Sequence, residues 1–312
     1  MNTFEVTILG SGSALPTLKK RPTSQLVHYS NKYFLIDCGE GTQVQLRKAK
    51  VSFLKISSVF ISHLHGDHYF GLVGLISSMH LLGRVADLNV YAPKELEEII
   101  NLQLRASYTQ LRFKLIFHPL DNKESEKIYE DKNIEIHTIP LKHKILTNGF
   151  LMKEKPRPRK AKSEKLKFYE VPHYKIDGIK MGADFETEDG EIIPNEKLTF
   201  PPEKERSYAF CSDTAYREKI IPLLSKTDLL YHESTFLEKD SALAKKTFHS
   251  TAKQAGMIAS QAKVKRLLIG HFSARYNEQD YPQFINEVKS EFQHVEIAME
   301  QETYQIGQKK TP

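Results

Sequence analysis

A chain of 312 residues with 40% hydrophobic and 27% charged content is long enough for one large α/β domain or two ordinary ones, and too apolar for a disordered protein. No apolar run approaches the roughly 18 residues that a membrane span needs, which excludes an integral membrane protein. Two cysteines, Cys38 and Cys211, cannot build a disulfide framework, so a reducing, cytoplasmic setting is expected.

The chain opens with Met1-Asn-Thr-Phe-Glu-Val-Thr-Ile-Leu-Gly, which has no basic lead-in and reads as a first strand, Phe4–Leu9, not a secretory signal. Further β-branched and aromatic runs predict strands over Gln25–Tyr29, Tyr33–Ile36, Ser58–Ile61, Leu88–Tyr91, Arg112–Phe117 and Ile134–Ile139. Helical stretches fall between them, at Thr42–Ala49 with Thr42 as its N-cap, Tyr69–Leu81 and Lys94–Arg105. Strands at Tyr208–Phe210, Asp228–Tyr231, Arg266–Ile269 and His294–Ala298 then alternate with helices at Tyr216–Ser225, Thr251–Ala262 and Tyr281–Phe292. Strand-then-helix units on both sides of a central segment predict an α/β protein, two sheets face to face with helices outside. Nothing before that segment closes a core by itself, so a single domain over 1–312 is expected.

The central segment, 151–180, holds ten Lys and Arg against four Asp and Glu, which is the whole formal excess of +6. With Pro156, Pro158 and Pro172 it reads as an inserted, extended or mobile arm. Either it contacts a polyanion such as nucleic-acid phosphates or it is a solvated basic loop.

The densest chemical signal is Ser62-His63-Leu64-His65-Gly66-Asp67-His68, directly after Val59-Phe60-Ile61. Residues two apart in extended backbone face the same way, so His63 and His65 can converge on one ion. His143, Asp213 and His271 each follow another predicted strand, where strand-end loops meet. Imidazole and carboxylate ligands suit zinc, or manganese. The inventory suffices for two ions: His63, His65 and His143 for one, Asp67, His68 and His271 for the other, and Asp213 between them. Two divalent ions leave such a site net positive, which favours an anionic substrate such as a phosphodiester.

At these residues the chain resembles the metallo-β-lactamase superfamily, whose hallmark is His-x-His-x-Asp-His. More closely it resembles the ribonuclease Z family of tRNA 3′-processing endonucleases, in their short form. The likeness runs through Leu9-Gly-Ser-Gly-Ser-Ala-Leu-Pro-Thr, Ile36-Asp-Cys-Gly-Glu-Gly-Thr, Phe210-Cys-Ser-Asp-Thr, His232-Glu-Ser-Thr-Phe, His249-Ser-Thr-Ala and Gly270-His-Phe-Ser-Ala-Arg-Tyr. It implies an αββα sandwich, two zinc ions per subunit, a homodimer, and hydrolysis of precursor tRNA 3′ of the discriminator nucleotide to leave a 3′ hydroxyl. Asp67 would be both a ligand and the proton acceptor for water. His249 would hold the scissile phosphate or protonate the leaving oxygen, with Glu233 orienting it. Asp37 would support the ligands from behind or be structural, not catalytic. The basic arm falls where the family carries its tRNA-binding exosite, which makes Arg157, Arg159 and Lys160 candidate RNA contacts, together with Arg275. Val171-Pro172 is followed by His173-Tyr174-Lys175-Ile176, where the family commonly has Gly-Pro. Two other readings compete: a phosphodiesterase or arylsulfatase acting on small substrates on the same scaffold, and an RNA-binding protein with structural zinc.

Overall fold

The computed structural model describes residues 2–121 and 123–307; the extreme ends of the expected 1–312 domain lie outside them. The β-branched and aromatic runs form strands. In chain order these are β1 Phe4–Gly10, β2 Ser24–Tyr29, β3 Lys32–Ile36, β4 Ile56–Phe60, β5 Leu88–Pro93, β6 Leu115–Leu120, β7 Lys127–Glu130 and β8 Ile134–Pro140. They continue as β9 Asn148–Glu154, β10 Phe185–Glu186, β11 Ile192–Ile193, β12 Ser207–Cys211, β13 Leu229–Glu233, β14 Leu267–Gly270, β15 Val295–Ile297 and β16 Thr303–Gln305.

One sheet has the order β16-β1-β2-β3-β4-β5-β6 and the other β15-β14-β13-β12-β9-β8-β7. Strand alternation assigns each face its partner. On β4, Val59 joins an apolar cluster with Leu75, Ile76 and Ile100 of the helices Leu72–Leu81 and Glu95–Ala106. Its neighbour Phe60 turns the other way, to within 5.5 Å of the Phe150 ring on β9 of the second sheet. On β12, Ala209 and Cys211 face a helix-side cluster with Ala255, Ile258 and Phe284, while Phe210 stacks on Tyr231 of β13 at 5.2 Å. Sheets inside and helices outside give the αββα sandwich of the metallo-β-lactamase fold.

The pairings β3–β4, β12–β13 and β13–β14 are parallel. Their carboxyl ends therefore release loops at a common edge within each sheet, where open α/β architectures gather ligands. Close backbone approach at that edge requires glycine: a Cβ on Gly71 would lie 2.2 Å from the Gly39 carbonyl oxygen.

The chain separates into two units. The first runs to Tyr129, takes in Ile136–Met152 and resumes at Ser207. The second is Glu130–Glu135 with Lys153–Arg206. Residues 151–180, expected as an extended arm, hold short helices at Ser163–Phe168 and Ile176–Lys180. They fold because the following residues supply a small core: Ile179, Phe185, Ile193 and Leu198, packed by Leu166, Tyr169 and Val171. Asn195 ties it together, its Nδ2 donating to the carbonyls of Ile179 and Ala183 at 2.7 Å each. The buried Glu154 carboxylate accepts from the Arg206 guanidinium at 2.7 and 2.8 Å and from Arg157.

Two local expectations are corrected. Tyr216–Ser225 is not an α-helix but a single 3-10 turn, Glu218–Ile220, because Pro222 cannot donate to a continuing helix. Thr42 is not an N-cap: it is the first helical residue, Gly41 takes the cap at φ 85°, and the Thr42 hydroxyl donates to the Gly39 carbonyl at 2.7 Å.

Candidate metal centre

His63 and His65 stand on the loop after β4. Asp67 and His68 start a short helix, Gly66–Tyr69, with His65 at its cap. His143 follows β8, Asp213 follows β12 and His271 follows β14. Asp213 and His271 have φ of 58° and 60°, as does Asp37 after β3 at 55°. Positive φ at non-glycine residues concentrates where side-chain aim outweighs backbone comfort.

His63, His65, His143 and Asp213 present ligand atoms within 4.8 Å of one another, and so do Asp67, His68 and His271. Nδ1 of His65 is 3.0 Å from Nε2 of His63 and 3.2 Å from Nε2 of His143. Asp213 divides its oxygens between the groups. Oδ2 lies 3.4 Å from His63 Nε2, and Oδ1 lies 2.9 Å from His271 Nε2 and 3.4 Å from His68 Nε2. Asp67 Oδ2 is 3.3 Å from His68 Nε2 and 4.0 Å from His271 Nε2.

The outward ring nitrogens fix which atoms face inward. Nδ1 of His68 meets Asp37 Oδ2 at 2.7 Å, Nδ1 of His143 meets the Phe248 carbonyl at 3.1 Å, and Nδ1 of His271 meets the Thr235 hydroxyl at 2.9 Å. Ser62 Oγ donates to Asp37 Oδ2 at 2.9 Å, so it accepts from His63 Nδ1 at 3.0 Å. In each of these imidazoles the Nδ1 proton faces outward and Nε2 faces the centre, the arrangement that orients metal-binding histidines.

These residues fit a divalent cation. Nδ1 of His65 lies 3.0 and 3.2 Å from the inward nitrogens of His63 and His143, and a cation between them would let all three rings turn a lone pair to it. The spacing is near the edge, about 3.3 Å, of a tetrahedron with zinc–nitrogen arms of about 2.05 Å. Nε2 of His68 and of His271 are buried without an aligned hydrogen bond. Burial drives His63 down to about 3 and lowers His143, which keeps both rings uncharged and free to donate a lone pair. His68 shows the deficit of positive charge. Burial opposes its protonation, yet Asp213, Asp67 and Asp37 outweigh burial and hold it well above its ordinary value. Burial likewise opposes charge on Asp213, and His271 and His68 overcome it, keeping the carboxyl ionised.

His249 lies beside this centre, with Asp213 and His271 within ligand reach of one another and of it. Its Nδ1 is 2.9 Å from Glu233 Oε1. Burial would lower the ring, but the Glu233 carboxylate dominates and lifts it to about 9. Glu233 is fully buried at the end of β13 and also accepts from the Thr214 amide at 2.6 Å, the Ser250 amide at 3.1 Å and the Thr235 hydroxyl at 2.5 Å. It is an anchored anion with His249 as its counter-charge.

The expected RNA contacts are placed differently from one another. Arg275 is partly exposed at 46%, with its guanidinium over the Phe236 ring and 3.8 Å from Asp240. In the second unit, Arg157 is engaged by Glu154 and Glu203, and Arg159 donates from Nε to the Thr199 hydroxyl at 2.8 Å. Lys160 is 76% exposed, with Glu203 at 3.6 Å. Sequence reasoning assigned no role to Thr235, which holds both His271 and Glu233, or to the Phe248 carbonyl. Thr235 sits in the His232-Glu-Ser-Thr-Phe motif, so its position was a usable signal; a backbone carbonyl leaves none.

The sequence model of the family described as Anti-Pycsar protein Apyc1 matches residues 4–157. The chain is 47% identical over 300 residues to a ribonuclease Z of Bacteroides fragilis, covering 96% of this chain and 98% of that one. It is 51% identical over 279 residues to a ribonuclease Z of Phocaeicola vulgatus, covering 89% and 90%. The crystal structure of human tRNase Z, short form, superposes with a TM-score of 0.72 at 25% identity, covering 97% of this chain and 99% of that one.

Proposed function

Since the chain belongs to the ribonuclease Z family, we propose that it is a zinc-dependent endoribonuclease that removes 3′ trailers from precursor tRNA, cutting on the 3′ side of the discriminator nucleotide. The single observation that carries this reading is the convergence of two ligand groups on the two oxygens of Asp213, with the His249–Glu233 pair beside them. His63, His65 and His143 would hold one zinc, Asp67, His68 and His271 the other, and Asp213 both. Bound there, two divalent ions supply an activated water and stabilise charge on a phosphoryl oxygen.

The chain's own groups handle the protons. Asp67, the least buried of the site carboxylates, accepts a proton from the attacking water as the new bond to phosphorus forms. His249, protonated through Glu233, donates to the departing 3′ oxygen of the discriminator nucleotide. The bond from phosphorus to that oxygen breaks, so the tRNA keeps a 3′ hydroxyl and the trailer keeps the phosphate. Glu233 cannot drift, since three further donors fix it, so the His249 ring presents Nε2 in one orientation. Of the candidate RNA contacts, Arg275 and Lys160 are the more exposed and Arg157 and Arg159 the more engaged by their neighbours; residues 151–180 act as the exosite. The working form is a homodimer in the cytoplasm. No described helix is long and apolar enough to cross a membrane.

The test is incubation of the zinc-loaded protein with an end-labelled, 3′-extended tRNA, with the cut mapped to the nucleotide. One cut directly after the discriminator supports the proposal. Turnover of small phosphodiesters with intact precursor tRNA would replace it with the small-substrate reading, and salt-sensitive RNA binding without cleavage would replace it with a binding role.

A further inference from the structure

The loop from Ser11 to Arg21 lies against the metal-centre residues but is mostly exposed and contains no helix or sheet ladder of its own. Such a segment frays unless something outside it holds its ends. Two backbone bonds contribute, from the Gly12 amide to the Arg21 carbonyl at 2.9 Å and from the Phe272 amide to the Ser11 carbonyl at 3.2 Å; the side chain that joins them is Glu300, which lies between β15 and β16, almost at the other end of the described chain. Its Oε1 accepts from the Arg21 amide at 2.6 Å and from the Ser11 amide at 3.4 Å. Its Oε2 accepts from Nε2 of Gln45 at 2.8 Å, and the same Nε2 donates to the Leu9 carbonyl at 2.8 Å. One carboxylate therefore gathers both ends of the loop and braces them against the helix Thr42–Lys48.

Within the bracketed loop the backbone turns sharply: Ala14 has φ of 55°. That turn aims the Ala14 amide at Oδ2 of Asp67, 3.0 Å away. The preceding Ser13 amide donates to the carbonyl of Phe272, the residue after His271, at 3.2 Å. Lys20 closes the loop's far side, its ammonium 5.3 Å from the Phe272 ring and 5.0 Å from that of Tyr281.

We propose that Glu300 is a positioning residue for Asp67: by clamping Ser11 and Arg21 it holds the Ala14 amide on Asp67 Oδ2 and so fixes the rotation of that carboxylate. A carboxylate that must both face a cation and take a proton from water has two oxygens for two tasks. A fixed amide on one of them decides which oxygen does which. This rests on Asp67 having the role proposed above.

The test uses the full chain with Glu300→Ala, Glu300→Asp and Glu300→Gln. Glu300→Asp keeps the charge but retracts it by one methylene, and Glu300→Gln keeps one acceptor oxygen. Amide exchange at Ala14 is measured on metal-free protein, with Ala209 in β12 as the reference for global opening. Cleavage of precursor tRNA is measured on zinc-loaded protein. The expected result for Glu300→Ala and Glu300→Asp is Ala14 exchange at least about tenfold faster with Ala209 unchanged, and kcat reduced about tenfold with KM within twofold. Glu300→Gln should fall between these variants and the unaltered protein. If Glu300→Ala opens globally, with Ala209 accelerated, Glu300→Asp decides. Unchanged Ala14 exchange in Glu300→Asp, or faster exchange with kcat intact, overturns the inference. If the unaltered protein does not cut precursor tRNA while Ala14 responds as described, the functional reading fails and the clamp stands.

Discussion

The carbonyl oxygen of Phe248 lies 3.1 Å from Nδ1 of His143, so the residue that precedes His249 also sets the ring of a predicted ligand. One turn thus serves both the candidate metal centre and the His249–Glu233 pair. Phe248 reaches this position in the left-handed region, at φ 60°.

That turn can be probed by substitution. Phe248→Gly keeps the carbonyl and relieves a conformation costing a bulky residue roughly 1–2 kcal/mol, against whatever packing the ring provides. The expected outcome is precursor-tRNA cleavage within about threefold of the unaltered protein. Phe248→Val, β-branched and ill-suited to positive φ, should lose at least about tenfold in kcat and bind zinc less tightly, read by chelator competition.

Asp37 supports the centre without facing it. Its buried carboxylate accepts from the Ser62 amide at 2.7 Å, from the Ser62 hydroxyl at 2.9 Å and from His68 Nδ1 at 2.7 Å. An amide in its place turns one acceptor into a donor that meets other donors. Asp37→Asn is expected to weaken zinc affinity by about 10–100-fold and to lower stability by about 2–3 kcal/mol. Chelator titration and denaturant unfolding measure the two effects separately.

Removing the proposed proton acceptor should leave the fold in place. Asp67→Ala is expected to reduce kcat by about 10²–10⁴-fold, with circular dichroism and the unfolding midpoint close to unaltered. Cleavage at the original rate would end the assignment of Asp67 as base.

The second unit should respond to acid on its own. Burial works to raise the Glu154 carboxyl, but the hydrogen bonds and charge of Arg206 prevail and hold it below its ordinary value. A carboxylate with a folded value below its unfolded one adds stability above the unfolded value, about 4.3, and loses it as pH falls through the folded one. Amide exchange at Thr199, whose N–H donates to the Asn195 carbonyl at 2.9 Å, should accelerate between pH 5 and about pH 3 after correction for intrinsic rates. In Glu154→Gln the exchange should be fast at both pH values. A pH response that survives Glu154→Gln would assign it to another group.

The sandwich was legible because its strands are short and their β-branched, aromatic runs are bounded by turns, as at Val59-Phe60-Ile61 and Leu267–Gly270. The cluster of candidate ligands was legible because histidines and aspartates after strands are conspicuous in sequence. The second unit was not. Its core is four apolar side chains, Ile179, Phe185, Ile193 and Leu198, spread over a polar stretch with no helical or strand period, beneath a charge pattern that read as solvated. Strand β9, Asn148–Glu154, was missed because it ends in Lys153-Glu154, and the burial of Glu154 depends on Arg206 far along the chain. The web behind the ligands escaped for a similar reason: Thr235 and Asp37 act through hydrogen bonds that only the folded chain brings together.

The antiparallel pairing of β1 with β16 and the bond from the Arg21 amide to Glu300 join the two extremes of the described chain. A ribosome must translate through position 300 before the loop beside Asp67 is secured. Nascent chains that have already made every proposed metal ligand, His271 included, would still lack that restraint, so synthesis itself delays the ordering of the loop that meets Asp67.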